Sequence, residues 1–387
     1  LLAEPASAVL HGKTKLPIRA SLITNWRRGQ IKLLIGTRQS ALLPAKKLGL
    51  IIITQSSSDD YRITDRNPRF DVRLATQLQA DQHNARLISC DHFPRVENQI
   101  NQIFSSPLIL SDQISQIDLN DKQEWSGQPM VSASLIEAIQ EALQSGQKVL
   151  CSYNRKGVAK RLQCANCGHL PKCGTCGNLP IIRLTDLICS ICATEMWPPK
   201  ICPACGSTKL KNQGLGNEKI ADGLHQLFPN NTVAILEKGQ AVPNSQILVA
   251  TEYYFSGVHE PFSKKNFGLV AELCFDHHLS GNFRAREQAG RKLFRLIHLA
   301  RQQRAKCLIQ TWSPAEVKLM LDSTAFLKDE LNLRTRYHLP PVYDEIHGRV
   351  SEKSQRAIIL YELRQLPDSE VIQTDIDSYA PPRDYTS

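Results

Sequence analysis

The chain has 387 residues and a formal net charge of +10, and 42% of it is hydrophobic, with no apolar run long enough to span a bilayer. That length allows two or three domains with cores of their own and excludes a small disulfide-knit secreted scaffold. The positive charge favours a polyanionic partner, because Lys and Arg release counterions from phosphates. Nine Lys or Arg and one acid, Glu4, stand in the first fifty residues. The start at Leu1-Leu2-Ala3-Glu4 carries no basic region ahead of an apolar core, so no signal peptide is expected. The absence of an initiator Met is what a piece of a longer protein would show.

Apolar runs at 31–35 and 48–53, flanked by Gly and turn residues, predict buried parallel strands. Residues 68–79 read as helix and 86–90 as strand. Around 105–130 the periodicity fades, with Gly127 and Pro129, and a linker is expected. A capping box, Ser134-x-x-Glu137, predicts a helix with the stripe Leu135, Ile136, Ile139 and Leu143, ended by Gly146. The strand Val149-Leu150-Cys151 follows. After a cysteine-rich stretch come helix 217–227, strands 233–236, 247–250 and 269–274, helix 284–303 and strand 307–311. A last strand-like run, Ala357–Tyr361, precedes a polar tail. The order predicts an α/β fold on either side of an inserted module.

Eight of the twelve cysteines form four Cys-x-x-Cys pairs: Cys164/Cys167, Cys173/Cys176, Cys189/Cys192 and Cys202/Cys205. Each pair offers two thiolates on one tight turn, so four pairs predict two tetrahedral sulfur sites. Zinc is the expected metal, with iron–sulfur clusters the alternative. A Gly follows three of the pairs, and Ala193 follows the third pair in the chain. The module is basic, with Lys160, Arg161, Lys172, Arg183, Lys200, Lys209 and Lys211 near its knuckles. Large apolar residues between 160 and 210 are few, among them Leu170, Ile181, Ile182, Leu184, Leu187, Ile188 and Trp197, so metal is expected to stabilise this segment. The other thiols, Cys90, Cys151, Cys274 and Cys307, read as buried core residues. His277 and His278 read as strand-end surface residues.

In its motifs and their order the chain resembles the PriA family of replication restart helicases, from about Val9 to Pro341. Asn154-Arg155-Lys156-Gly157 stands before the cysteine module; Gly214-Leu215-Gly216-Asn217-Glu218 and Leu227-Phe228-Pro229 stand after it. Ile35-Gly36-Thr37-Arg38-Gln39-Ser40-Ala41 and Leu48-Gly49-Leu50-Ile51-Ile52 match upstream. Ile247-Leu248-Val249-Ala250-Thr251, Phe283-Arg284-Ala285-Arg286-Glu287 and Leu339-Pro340-Pro341 match downstream. The resemblance implies two RecA-like lobes with a two-zinc module inserted in the second. It implies a partial first lobe at 1–115, a second lobe at 128–325 interrupted by the module at 161–209, and a shortened C-terminal region at 326–387. It also implies nested pairing, with Cys164, Cys167, Cys202 and Cys205 on one zinc and Cys173, Cys176, Cys189 and Cys192 on the other.

The motor motifs of that family are altered here. Where it carries Asp-Glu-Glu-His, Thr54-Gln55-Ser56-Ser57 follow the strand, and Asp59 and Asp60 are out of register. ATP hydrolysis needs a carboxylate to hold magnesium and another to orient water. The coupling segment becomes Cys90-Asp91-His92-Phe93-Pro94-Arg95, a Lys-Gly becomes Ser256-Gly257, and the arginine-finger segment keeps Arg301 and Arg304 without its glycines. His11-Gly12-Lys13-Thr14 ends like a P-loop, but Ser7 stands where the first Gly belongs, and Pro17 falls in the helix such a loop must open.

The expected protein is a replication restart factor that binds branched or single-stranded DNA with its motor lost, ATP and Mg²⁺ being family ligands. Arg27, Arg28 and Arg38 are the candidate DNA contacts, and Arg301 and Arg304 vestigial nucleotide contacts. The resemblance implies as partners other primosome proteins, the replicative helicase loader and single-strand binding protein, in the cytoplasm at the nucleoid and away from membranes. One alternative is an active 3′–5′ helicase with a P-loop upstream of Leu1. Another is a zinc-ribbon module that binds only proteins.

Overall fold

A computed structural model describes residues 7–63, 70–97, 114–128, 130–153, 161–183, 186–189, 191–211, 217–236, 242–251, 266–279, 283–339, 344–349 and 356–361. The chain divides into two compact units, residues 1–95 with 334–387, and residues 96–333.

In the first unit, β1 (Ser7–Leu10) leads through a tight turn into α1 (Leu16–Arg28) and pairs in parallel with β2 (Leu33–Gly36). Pro17 does not block α1. It sits in the first turn, where its missing N–H has no partner to lose. Gly29 closes the helix at φ 75°, and Arg27 and Arg28 in the last turn suit the negative end of the helix dipole. Next comes β3 (Leu50–Thr54), then the short antiparallel pair β4 (Arg62–Ile63) and β5 (Phe70–Asp71). Then α2 (Val72–His83) leads to β6 (Arg86–Cys90), which pairs in parallel with β3. Parallel pairing is as expected, but full burial is not. Leu33, Ile35, Leu50 and Ile52 are exposed, while Ile53 is buried. Among the described residues each sheet here has two strands, and covering one face leaves alternate side chains in water.

The second unit is built on a six-stranded, all-parallel sheet. Its strands are β7 (Ile114–Asp118), β8 (Lys148–Ser152), β14 (Val233–Leu236), β15 (Ile247–Ala250), β16 (Phe267–Glu272) and β17 (Lys306–Thr311), in the order β14-β15-β8-β16-β17-β7. The central strands β8, β15 and β16 are buried almost throughout, as continuous apolar runs in a parallel sheet must be. Part of the expected linker, at 114–118, is thus an edge strand. Its pattern, Ile-Ser-Gln-Ile-Asp, is too polar to read as a core strand. Helix α3 (Ala133–Gln144) packs on β8 and β16; α4 (Asn217–Leu227) packs on β14 and β15; α5 (Ala285–Gln303) packs on β16 and β17.

The start of α3 differs from the expected box. Ser132 is the cap, accepting from the Leu135 amide at 3.1 Å, while Ser134 donates its hydroxyl to Glu124 at 2.6 Å. The buried Gln310 of β17 accepts from the Ser132 amide at 3.0 Å and donates to the carbonyls of Met130 and Leu273. After β17 come α6 (Pro314–Leu321) and α7 (Ser323–Arg336). Arg286 of α5 ties both down, donating to Glu316, Asp329 and Glu330 at 2.8–3.0 Å. Finally, β18 (Asp344–Arg349) pairs antiparallel with β19 (Arg356–Tyr361).

Candidate metal centres

Each Cys-x-x-Cys pair folds in the same way. The amide four residues after the first cysteine donates to that cysteine's carbonyl, as in Gly168 to Cys164, Gly177 to Cys173, Ala193 to Cys189 and Gly206 to Cys202, at 2.9–3.0 Å. The first cysteine's own amide donates to the carbonyl five residues on: His169, Asn178, Thr194 or Ser207. The turn demands a left-handed residue at its close, with φ of 83°, 72° and 70° at the three glycines. Ala193 adopts φ 55° at the equivalent place, so the same knuckle forms without Gly, at a cost of about 1–2 kcal/mol.

The four knuckles assemble into two groups of four thiols. Cys164, Cys167, Cys202 and Cys205 form one, and Cys173, Cys176, Cys189 and Cys192 the other, with all sulfurs in a group within 4.8 Å of one another. Sulfur pairs lie at 3.7 Å for Cys164–Cys205 and Cys167–Cys202, and at 3.6 and 3.3 Å for Cys173–Cys192 and Cys176–Cys189. A tetrahedral zinc with sulfur ligands has sulfur–sulfur edges of about 3.8 Å, so both groups fit a Cys₄ ion. A disulfide, at about 2.05 Å, is ruled out by the same distances. Burial raises the Cys167, Cys176, Cys189 and Cys202 thiols. Burial also opposes ionisation of Cys192 and Cys205, but the Thr194 hydroxyl and amide at Cys192, and the Ser207 amide at Cys205, with neighbouring thiols, bring each to about 7.

Local strands carry the knuckles. β9 (Gln163–Cys164) pairs with β13 (Leu210–Lys211) beneath the first group. β10 (Ile181–Arg183), β11 (Asp186–Ile188) and β12 (Glu195–Met196) form a small antiparallel sheet beside the second. The module docks on the carboxyl edge of the large sheet. Arg161 donates to the His277 carbonyl at 2.6 Å, and Lys172 to the Trp312 carbonyl at 2.9 Å. The His169 ring meets the Trp312 ring edge-on. Gln163 lies 3.2 Å from the His277 ring and donates to the Gly168 carbonyl at 2.9 Å. Beneath these contacts the fully buried Asp276 accepts from Thr311, the Trp312 amide and Ser313, at 2.5–2.8 Å. Burial lowers Arg161 to about 10, against the pull of Cys274 and Asp276, and it stays charged at neutral pH.

These docking residues were not legible as site residues, since nothing in their spacing marks them. His277 and His278 are correspondingly not surface residues. Both are buried, and His278 lies 3.5 Å from Glu272. Cys151, Cys274 and Cys307 are buried as expected, and burial followed by the Glu272 carboxylate raises Cys151 and Cys307 to about 12. Cys90, the last residue of β6, is exposed rather than buried, as is Ser89 beside it.

The other candidate residues belong to both units. Arg27 and Arg28 are exposed on α1, and Arg38 donates to the Asp60 carbonyl at 2.8 Å. Arg301 lies in the last turn of α5, and Arg304 caps it at φ 53°. After β3, Gln55 turns left-handed and Ser57 donates amide and hydroxyl to Asp91, at 2.7 and 2.6 Å. At His11–Thr14 the Lys13 amide donates to the His11 ring nitrogen and the His11 amide to the Thr14 hydroxyl, both at 3.1 Å, so these donors are used within the turn. Asn154–Gly157, Gly214–Gly216, Ser256–Gly257 and Pro340–Pro341 lie outside the described residues. No described helix is long and apolar enough to cross a membrane.

No protein-family model matches the chain. It is 28% identical over 373 residues to the replication restart protein PriA of Chlamydia trachomatis, covering 86% of this chain and 48% of that protein. It is 27% identical over 414 residues to that of Chlamydia muridarum (95% and 54%) and 28% identical over 367 residues to that of Haemophilus influenzae (86% and 49%). The chain thus spans about half the length of these curated relatives. Among solved structures it is similar to S. cerevisiae Dbp5 bound to RNA and ADP BeF3, at 9% identity and a TM-score of 0.37, covering 85% of this chain and 73% of that one.

Proposed function

We propose that this chain, a PriA-family protein, serves replication restart as a zinc-stabilised DNA-binding scaffold without helicase turnover. The observation that carries the reading is the pair of Cys₄ groups docked on the carboxyl edge of a parallel α/β sheet, in a chain of net charge +10. Cys164, Cys167, Cys202 and Cys205 would hold one zinc, and Cys173, Cys176, Cys189 and Cys192 the other. A closed Cys₄ ion supplies folding energy and no chemistry of its own. The work falls to the residues around it: Arg161, Gln163 and Lys172 fix the module to the lobe, and exposed lysines meet phosphates.

DNA is the expected partner, engaged through Arg27, Arg28 and the basic module. The restart proteins, helicase loader and single-strand binding protein implied by the resemblance belong to the same reading. So does the assignment of residues 1–115 and 128–325 to two RecA-like lobes. Loss of turnover is supported by the end of β3, where Thr54 and Gln55 offer neutral groups and the nearby Asp91 already accepts from Ser57 and the His92 amide. Fluorescence anisotropy with forked and single-stranded DNA across a salt series tests the reading. Affinity should fall steeply with salt, by a log–log slope of about 0.9 for each duplex phosphate neutralised. Absence of binding at low salt overturns it.

A further inference from the structure

Trp197 is 80% exposed on a module whose Leu170, Leu179 and Leu187 are buried. Indole is among the largest apolar surfaces a side chain has, and leaving it in water forgoes most of its burial energy. The ring stands just past β12 and before Pro198-Pro199. A residue ahead of Pro is confined to extended backbone, and each Pro has a fixed φ. The indole is therefore presented on a stiff segment with little freedom to lose on contact. Lys200 and Ile201 follow it and are exposed, as are Lys209 and Lys211. From Lys160 to Lys211 the sequence holds seven Lys or Arg against two acids, Asp186 and Glu195.

We propose that Trp197 is a stacking platform for an unpaired base of single-stranded DNA, with Lys200, Lys209 and Lys211 of the same module meeting backbone phosphates. The proposal rests on the DNA-binding reading above and assigns it a residue and a strand state. Base stacking needs a π-face that only an unpaired base offers, and it tolerates any sequence. The charge matches a polyanion and argues against a protein partner, since protein interfaces are depleted of Lys.

The test uses the full chain with its metal, and anisotropy with a fluorescein-labelled oligo(dT), a duplex of equal length, and an oligomer carrying abasic sites. Trp197→Ala should weaken oligo(dT) binding about tenfold, leave duplex binding unchanged and retain both metals. Trp197→Phe should keep most of the affinity. The wild type should lose a similar factor on the abasic strand, and Trp197→Ala should lose little more. Lys200→Ala should lower the single-strand salt slope by about 0.7. Unchanged oligo(dT) affinity in Trp197→Ala, or an equal loss on duplex and abasic strand, overturns stacking while leaving the DNA reading intact. A wild type that binds no DNA at low salt overturns both.

Discussion

Asp71 shows how much one side chain carries in the first unit. It caps α2 by accepting from the Arg73 amide at 2.9 Å, pairs with the Arg73 guanidinium at 2.5 Å, and lies 3.6 Å from Arg62. Burial alone would raise its carboxyl, but the hydrogen bonds and charge of Arg73, followed by Arg95, hold it below the usual carboxylate range. A depressed folded value contributes stability above the unfolded pKa of about 3.9, and that stability is lost as pH falls through the folded value. Asp71→Asn should remove this acid-sensitive part. It should also leave the buried Arg73 guanidinium with the Ser56 and Ser58 carbonyls but without the carboxylate that balances its charge, destabilising α2 by about 3 kcal/mol. Hydrogen exchange of α2 amides at pH 7 and pH 3 measures both, and a variant exchanging like the parent at both would refute it. Arg286 plays the comparable part in the second unit. Arg286→Leu leaves Glu316, Asp329 and the fully buried Glu330 facing one another. Urea unfolding should register a loss of about 3–5 kcal/mol.

The cysteine module is the element where local code and tertiary setting divide most clearly. Its four knuckles were readable because a Cys-x-x-Cys turn uses only contacts within six residues, repeated at each pair. The start of α3 is ambiguous in the sequence, because Ser134 and Ser132 both suit a cap. Glu124, ten residues from Ser134 and brought beside it by the fold, occupies Ser134 and leaves Ser132 the role. Metal analysis of the purified chain should return about two zincs, and Cys173→Ser about one, because the groups share no ligand. Chelation should expose 161–211 to protease before the strands of the large sheet are cut. Cys164→Ser should loosen the contacts at His277 more than Cys173→Ser does, since the first group's strand carries Gln163. Equal protection with and without chelator would show that metal does not hold the segment.

At the scale of the whole molecule the open question is chemistry. On the proposed reading, the end of β3 is where a motor of this family would carry the carboxylates that place magnesium and water, and phosphoryl transfer loses most of its catalysis without that electrostatic positioning. DNA-stimulated phosphate release by the 387-residue chain should therefore stay at background. Thr54→Asp with Gln55→Glu should not restore it, because Ser7 stands where a P-loop's first Gly belongs and the His11, Lys13 and Thr14 amides are used within their own turn. Turnover that Lys13→Ala abolishes would overturn this. Arg27→Ala with Arg28→Ala should weaken DNA binding and flatten its salt dependence, leaving zinc content unchanged.

By itself the sequence determined the α/β order from α3 to β17 and the existence of four Cys-x-x-Cys turns. Helix 217–227 and strands 233–236 and 247–250 stand where their periodicity put them. These features rest on neighbours along the chain and on continuous apolar runs, which need no knowledge of the partner element. What only tertiary structure decided is which groups face water and which are paired. Leu50 and Ile52 look like core residues but are exposed, because burial on both faces requires a second covering layer. His277 and His278 look like surface residues but are buried: Arg161 and Gln163 of the cysteine module meet His277, while His278 lies against Glu272, Phe275 and Lys292. Strand β7 is polar in composition and exists because β17 offers it a parallel edge. For His277 and β7 the deciding contact comes from chain far away in sequence, and no local pattern encodes it.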